Sequence, residues 1–169
     1  DYTEPEYTSV RRDHRISLGW HQVTSEAANS TLSEVLEGTE GMNVISPTWF
    51  FLSDDEGSFV SIGSSSYVQE AHDRGLEVWV LVDNFTYDVD TREILSHTGR
   101  RQKLIEGLVE EALSLGADGI NVDFEQVPED AGEDYIEFLR ELSIPCRANG
   151  LVLSVDNYVP RNYNSHYHW

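Results

Sequence analysis

Short apolar runs alternate with longer helical patterns along most of the chain. The runs are rich in Val, Ile and aromatic residues, a composition typical of β-strands. Glycine follows three of the helical patterns, at the place where a left-handed residue commonly ends a helix. The pattern predicts strands over 16–23, 43–52, 76–85, 119–127 and 151–159, helical segments over 25–38, 64–75, 91–116 and 133–150, and helix-ending glycines at Gly75, Gly116 and Gly150.

Strand–helix alternation at this spacing predicts an α/β fold of parallel strands joined by right-handed crossovers. Two architectures fit: a five-stranded doubly wound sheet of flavodoxin type, or a (β/α)8 TIM-barrel type of which about the first five β/α units are present. The chain has 169 residues, whereas a complete barrel takes about 250. Length favours the first architecture, and the residues at the strand ends favour the second. On the barrel interpretation, residues 1–15 are a polar leader and residues 16–169 are the N-terminal part of a barrel domain. Residues 53–60 (SDDEGSFV) predict a hairpin tip that extends from the second strand.

The predicted strands end in polar residues mixed with aromatic ones. In both architectures the carboxyl ends of parallel strands form the ligand-binding edge. Core packing explains any one of these aromatics alone, but their recurrence at five strand ends indicates one shared pocket. The five groups are Trp20-His21-Gln22, Trp49-Phe50-Phe51, Asp83-Asn84-Phe85, Asp123-Phe124-Glu125-Gln126 and Asp156-Asn157-Tyr158.

The fourth predicted strand, DGINVDFEQV, carries polar residues at every second position. Alternation sends Asn121, Asp123 and Glu125 to one face and apolar residues to the other, towards the helices. Burying carboxylates costs several kcal/mol each unless they are paired or hydrogen-bonded. Burial and a nearby like charge both raise a carboxyl pKa, and a neutral carboxylic acid is what general acid catalysis requires. The alternative interpretation is a satisfied buried polar network.

Composition excludes several classes of function. Eleven basic residues face 31 acidic ones, giving a net charge of −20, which disfavours nucleic acid and anionic membranes as partners. No stretch is long and apolar enough to span a bilayer. Cys146 is the only cysteine, His166 and His168 lack acidic partners at a suitable spacing, and there is no glycine-rich phosphate loop. We therefore expect neither a metal site nor a cofactor.

The segment DGINVDFE resembles the fourth-strand signature of the family-18 glycoside hydrolases, D-G-x-D-x-D-x-E. The second and third predicted strands carry SPTWF and EVWVLVDNF, which resemble the corresponding strands in the subgroup of bacterial spore-cortex and cell-wall lytic enzymes. The resemblance covers about residues 16 to 160. It implies a (β/α)8 barrel that hydrolyses β-linkages of N-acetylglucosamine with retention of configuration, in peptidoglycan or chitin-like glycans.

The resemblance also implies roles for individual residues. Glu125 would be the general acid and base, and Asp123 would orient the substrate's 2-acetamido group. The oxygen of that group acts as the nucleophile, whereas most retaining glycosidases use a second enzyme carboxylate for this step. Asn121 stands where the family commonly has Asp, so we expect Asp123 to ionise more readily and the acid limb of the pH profile to shift. The family's tyrosine on the sixth strand has no counterpart here, so we expect the remainder of a barrel or self-association to complete the domain.

Further substrate contacts are expected at Trp20, Trp49, Asn84, Gln126 and Tyr158. Exposed tryptophans stack on sugar faces, although buried packing is an equally good explanation for Trp49. The main alternative function is a non-catalytic saccharide-binding module on the same scaffold, which keeps the aromatics without needing Glu125. A flavodoxin-like binding domain is a third option. We expect an extracellular, cell-wall or spore-associated bacterial setting.

Overall fold

The computed structural model describes residues 12–157 of the chain. Strands and helices alternate in it, with one short hairpin strand after the second strand. The strands are β1 (Leu18–His21), β2 (Val44–Leu52), β3 (Phe59–Ser61), β4 (Glu77–Asp83), β5 (Gly119–Asp123) and β6 (Val152–Val155). The α-helices are α1 (Leu32–Leu36), α2 (Ser65–Asp73), α3 (Thr91–Leu95), α4 (Thr98–Leu115) and α5 (Gly132–Ala148), with 3₁₀ turns at Glu26–Thr31 and Glu129–Ala131.

The parallel strands follow one another in the sheet in the order β1-β2-β4-β5-β6, and β3 pairs with β2 in the antiparallel direction. A doubly wound sheet reverses its strand order part-way, whereas a barrel adds each new strand next to the last. The domain is therefore a partial TIM-barrel-like α/β unit. The predicted α/β class and the predicted hairpin over 53–60 are confirmed, and the doubly wound alternative is wrong.

One face of the sheet packs against the helices. Alternate residues of the central strands, Val80 and Val82 on β4 and Ile120 and Val122 on β5, have no exposed surface and belong to the main hydrophobic core. Each such side chain contributes roughly 1.5–3 kcal/mol when fully buried. From the helices, the core receives Tyr67, Val68 and Ala71 of α2, Leu104, Leu108 and Ala112 of α4, and Tyr135, Phe138 and Leu142 of α5.

The opposite face changes from apolar to polar along the strands. At the amino ends, Val44, Trp79 and Val152 form a small separate cluster with Leu18. Towards the carboxyl ends, this face carries Asn121 and, at the paired last residues of β4 and β5, Asp83 and Asp123. The fold thus directs polar groups to the same edge at which each strand ends.

Three glycines end helices or the turns after them, as predicted from the sequence. Gly75, Gly116 and Gly150 have φ of 78°, 77° and 72°, the left-handed region that favours glycine. The single helix predicted over 91–116 is wrong. Its backbone is extended at His97, and Arg101 Nη1 donates to Leu95 O at 2.6 Å, which caps the end of α3 before α4 begins.

The predicted strands extend past the carboxyl ends of the observed β4 and β5. The strand predicted over 119–127 ends at Asp123, and the one predicted over 76–85 ends at Asp83. Glu125, Gln126 and Asn84 therefore lie in loops at the carboxyl ends, where period-two alternation no longer fixes the direction of a side chain. Tyr158 and the first eleven residues of the predicted leader lie outside the described residues.

A pair of glycine substitutions tests the helix-ending role of Gly116. Gly116→Ala should lower the free energy of unfolding by about 1–2 kcal/mol, because the added Cβ has room but the left-handed backbone disfavours it. Gly99→Ala, in the first turn of α4 with open space around it, should change stability by less than about 1 kcal/mol, with stabilisation favoured. Urea denaturation of both variants measures the difference. Equal effects of the two substitutions would contradict this assignment.

Candidate active site

A pocket of about 450 Å³ opens at the carboxyl ends of the parallel strands. An adjoining pocket of about 370 Å³ shares Asp123 and Phe85 with it, and a more polar groove of about 750 Å³ shares Glu125 and Phe85. The central pocket is lined by Trp20, Gln22, Thr48, Leu81, Phe85, Asp123, Phe124, Glu125, Asp156 and Asn157. The lining brings together residues from all five parallel strands or from the loops that follow them.

Asn121 lies one layer beneath this pocket, fully buried on the inner face of β5. Its Nδ2 donates to Asp156 Oδ2 at 2.8 Å, and Ser46 Oγ lies 3.4 Å away. Its Oδ1 has no hydrogen-bond partner among the described residues. Asp123, two residues further along, ends the strand and is half-buried at the pocket wall.

Glu125 reaches the pocket from the loop after β5. The residue before it, Phe124, is 1% exposed and stacks on Phe138, with ring centroids 5.5 Å apart. The residue after it, Gln126, has a φ of 52°, unusual for a residue with a side chain. Asp123 and Glu125 therefore meet in one pocket, although the predicted continuous strand between them is wrong.

Asp123 is the carboxyl most strongly affected by this arrangement. Burial raises its pKa from an ordinary value of 3.8 to about 6, and the negative charges of Asp156, Glu125 and Asp83 act in the same direction. Burial also raises the pKa of Asp83, against hydrogen bonds from Thr86 and from the Phe85 N–H. Among the described residues that line the central pocket, none is a Lys or Arg that would offset these charges.

The two tryptophans predicted to contact a ligand differ in their surroundings. Trp20 is 62% exposed and its Nε1 donates to Asp156 Oδ2 at 3.2 Å, so its ring forms part of the pocket wall. Trp49 has no exposed surface, and its Nε1 donates to Asn29 Oδ1 at 2.7 Å within the core. The expected substrate contact at Trp49 is wrong, because β2 directs that side chain towards the helices.

Asn84 also differs from its expected role as a substrate contact. Its side chain is buried, and its amide bonds the main chain of Glu125 and the hydroxyl of Thr91. Gln126 is exposed and lines the polar groove. Phe85, which is 53% exposed and borders all three cavities, was not singled out from the sequence as a contact residue.

Asp156 is a second site residue that was not predicted as a contact from the sequence. The sequence placed it at a strand end but gave no reason to prefer it over its neighbour Tyr158. Its importance follows from pairing: Val155 of β6 lies beside Val122 of β5, so the next residue, Asp156, adjoins Asp123. A parallel register assigned to the two strands would have identified this contact.

Within residues 12–157, no group of three or more His, Cys, Asp or Glu side chains is arranged to hold a metal ion. Within the same range, no helix combines the length and the apolar composition needed to cross a bilayer.

No protein-family model and no curated protein matches the sequence. Solved structures do match the fold. The spore cortex-lytic enzyme SleL from Bacillus megaterium QM B1551 superposes with a TM-score of 0.69 at 18% identity, over 89% of this chain and 37% of SleL. A chitinase from Chromobacterium violaceum ATCC 12472 superposes with a TM-score of 0.64 at 20% identity, over 83% of this chain and 44% of the chitinase. A class V chitinase from Pseudomonas fluorescens Pf-5 superposes with a TM-score of 0.69 at 18% identity, over 83% of this chain and 44% of that chitinase.

The chain spans less than half the length of each of these enzymes. At these identities the likeness establishes a shared fold, that of a partial TIM-barrel-like α/β domain. It is consistent with the fold that the DGINVDFE segment led us to expect.

Replacement of Asp156 tests the electrostatics of the pocket. Asp156→Asn removes one negative charge but keeps an oxygen for Trp20 and Asn121, so the pKa of Asp123 should fall below about 6 towards its ordinary range. A ¹³C NMR titration of the Asp123 carboxyl measures it directly. Asp73→Asn, on the exposed face of α2, serves as the control and should leave that pKa unchanged. An unchanged pKa in Asp156→Asn would contradict the assigned coupling.

Proposed function

We propose that this chain provides the acid–base and acetamido-orienting residues of a glycoside hydrolase acting on β-linked N-acetylglucosamine, in peptidoglycan or chitin-like glycans. The observation that carries the proposal is the cluster of Asp123, Glu125 and Asp156 in one pocket, beside the exposed rings of Trp20 and Phe85. Carboxyl groups supply proton transfer, and aromatic rings offer flat apolar surfaces to sugars. The fold shared with chitinases and a spore cortex-lytic enzyme supports the same conclusion.

In the proposed mechanism, Glu125 begins as the acid. Its carboxyl proton passes to the glycosidic oxygen as the bond from that oxygen to the anomeric carbon breaks. The oxygen of the substrate's own 2-acetamido group attacks the anomeric carbon and forms a cyclic oxazolinium ion. Glu125, now a carboxylate, removes a proton from water, the resulting oxygen attacks the anomeric carbon, and the ring opens with net retention of configuration.

Asp123 is proposed to accept a hydrogen bond from the acetamido N–H and to stabilise the positive charge of the oxazolinium ion. Because its pKa is about 6, it is mainly ionised above that pH and mainly protonated below it. The cationic intermediate should be favoured by the ionised form, since opposite charges attract in a partly desolvated site. Activity that depends on this carboxylate should therefore decline as the pH falls through about 6.

In this scheme Asn121 is an uncharged hydrogen-bond donor beneath the carboxyl groups of the pocket. A carboxylate in its place would lie against Asp156, since Asn121 Nδ2 donates to that residue. Two adjacent carboxylates would have to share a proton, and the added charge would raise the pKa of Asp123 further. We therefore retain the hypothesis that Asn at this position moves the acid limb to lower pH than Asp would.

Substrate contacts in the proposal extend beyond the central pocket. Trp20 and Phe85 provide stacking surfaces, and Gln126 contributes a polar side chain in the larger groove. The edge strands of the described sheet, β1 and β6, are where we propose that the remainder of a barrel or a second copy completes the fold. The proposal includes an extracellular, cell-wall or spore-associated bacterial setting, where such glycans occur.

The main alternative is a saccharide-binding module without catalysis. The exposed aromatic rings would serve it equally well, but binding requires no carboxyl poised near pH 6 beside a second acid. Glu125 therefore separates the two functions.

Glu125→Gln tests the acid role. In hydrolysis of peptidoglycan and of chitin oligomers, this variant should lose about 10²–10⁴-fold in kcat, because the amide cannot donate and recover a proton. Binding of the oligomers, followed by Trp fluorescence, should persist. Glu110→Gln on the exposed face of α4 is the matched control and should turn over like the parent.

The outcomes separate the alternatives. Equal turnover by Glu125→Gln and the parent would remove Glu125 from the acid role. Saccharide binding by both, with turnover by neither, would favour the binding module.

A further inference from the structure

Asn84 makes two hydrogen bonds to the main chain of one residue. Its Oδ1 accepts from the Glu125 N–H at 2.8 Å, and its Nδ2 donates to the Glu125 carbonyl oxygen at 2.9 Å. The same Nδ2 donates to Thr91 Oγ1 at 2.8 Å. Since an N–H group only donates and a carbonyl oxygen only accepts, the orientation of the Asn84 amide is fixed by its partners.

These bonds replace sheet pairing that Glu125 lacks. Strand β5 ends at Asp123, and the chain turns into the left-handed conformation at Gln126. Partly buried main-chain groups in such a loop need partners elsewhere. Asn84, which is 8% exposed, supplies both of them from the loop after β4.

Asn84 is itself held by a regular element. Thr91 is the first residue of α3, and the side chain of the preceding residue, Asp90, caps that helix by accepting from the N–H groups of Arg92 and Glu93. The Asp90 N–H donates to Asp55 Oδ1 at the tip of the β2–β3 hairpin. Glu125 is thus connected through Asn84 to the helix and hairpin beside the groove.

We propose that Asn84 is a positioning residue for Glu125. It fixes the main chain from which the Glu125 side chain enters the pocket. Asn84 borders the polar groove, but its amide is already bonded to the Glu125 main chain and to Thr91, so we assign it no substrate contact. The carboxamide satisfies both main-chain groups with two separate atoms, whereas a carboxylate offers no donor and an aliphatic side chain offers neither group. The effect on turnover rests on the proposed function, whereas the effect on the Glu125 backbone does not.

Two variants of Asn84 and one control test the inference. Asn84→Ala removes every bond, whereas Asn84→Asp keeps the acceptor for the Glu125 N–H and loses the donor. Asn43→Asp is the matched control: Asn43 also joins two main-chain groups, the Ser17 N–H and the Arg15 carbonyl, near the amino ends of the strands. Circular dichroism and urea denaturation verify that each variant is folded at the temperature of the assay.

The first readout is amide hydrogen exchange at Glu125, which needs no activity. Exchange should rise about 10-fold in Asn84→Ala, the equivalent of one lost hydrogen bond, and change less in Asn84→Asp. The second readout is kinetic. Both variants should lose about 10–100-fold in kcat with KM within about twofold of the parent, because a displaced acid slows proton transfer without weakening binding.

Three results would overturn the inference. Unchanged exchange at Glu125 in Asn84→Ala would remove the proposed connection, even in a chain that hydrolyses nothing. A rise in KM with unchanged kcat would make Asn84 a substrate contact. An equal loss of kcat in Asn43→Asp would mean that the effect of the Asn84 variants comes from lower overall stability and not from the position of Glu125. If the exchange result is as expected but Glu125→Gln turns over like the parent, the positioning contact stands and the proposed acid role fails.

Discussion

The parallel register of β5 with its two neighbours is the constraint on which the site depends. Ile120 and Val122 are fully buried against the helices, so a shift of one residue would exchange them with Asn121 and Asp123. Such an exchange would place polar groups in the core, and the apolar face therefore determines which groups face inwards. The same register sets Asp83 on one side of Asp123 and brings Asp156 to its other side.

This convergence of carboxyls has an energetic consequence for the folded domain. The pKa of Asp123 rises from 3.8 to about 6 on folding, so the native state binds this proton more tightly than the unfolded state does. The associated stability is fully present below pH 3.8 and is lost as the pH rises through about 6. Carboxyl groups with pKa values perturbed in this way cluster at functional sites. The buried Asn121 Oδ1 without a described partner is a second energetic cost.

Sequence patterns predicted the fold better than they predicted individual contacts. Alternation in β5 and glycines after the helices depend on local geometry, so both were readable from the sequence. The choice between barrel and doubly wound sheet required the strand order, which depends on long-range pairing. The break between α3 and α4 depends on Arg101 reaching back to Leu95, and helical periodicity contains no signal for it.

The candidate site residues also divide into those that local sequence pattern predicts and those that depend on long-range pairing. Asp123 and Glu125 could be assigned to one pocket because they lie close in sequence at the end of a strand. Asn84 was recognised as a polar residue at a strand end, but its main-chain bonds to Glu125 cross 41 positions of sequence. Trp49 was ambiguous because a strand covered on both faces gives no alternation. Asp156 required the register of β6.

A crystal structure of Glu125→Gln with an N-acetylglucosamine oligomer tests the central claim most directly. The claim is that Asp123 and the side chain at position 125 act on the same sugar. The expected result places the glycosidic oxygen about 3 Å from the side chain at position 125, with the acetamido N–H of the adjoining sugar donating to Asp123. A saccharide that stacks on Trp20 or Phe85 with its acetamido group directed away from Asp123 would contradict the account.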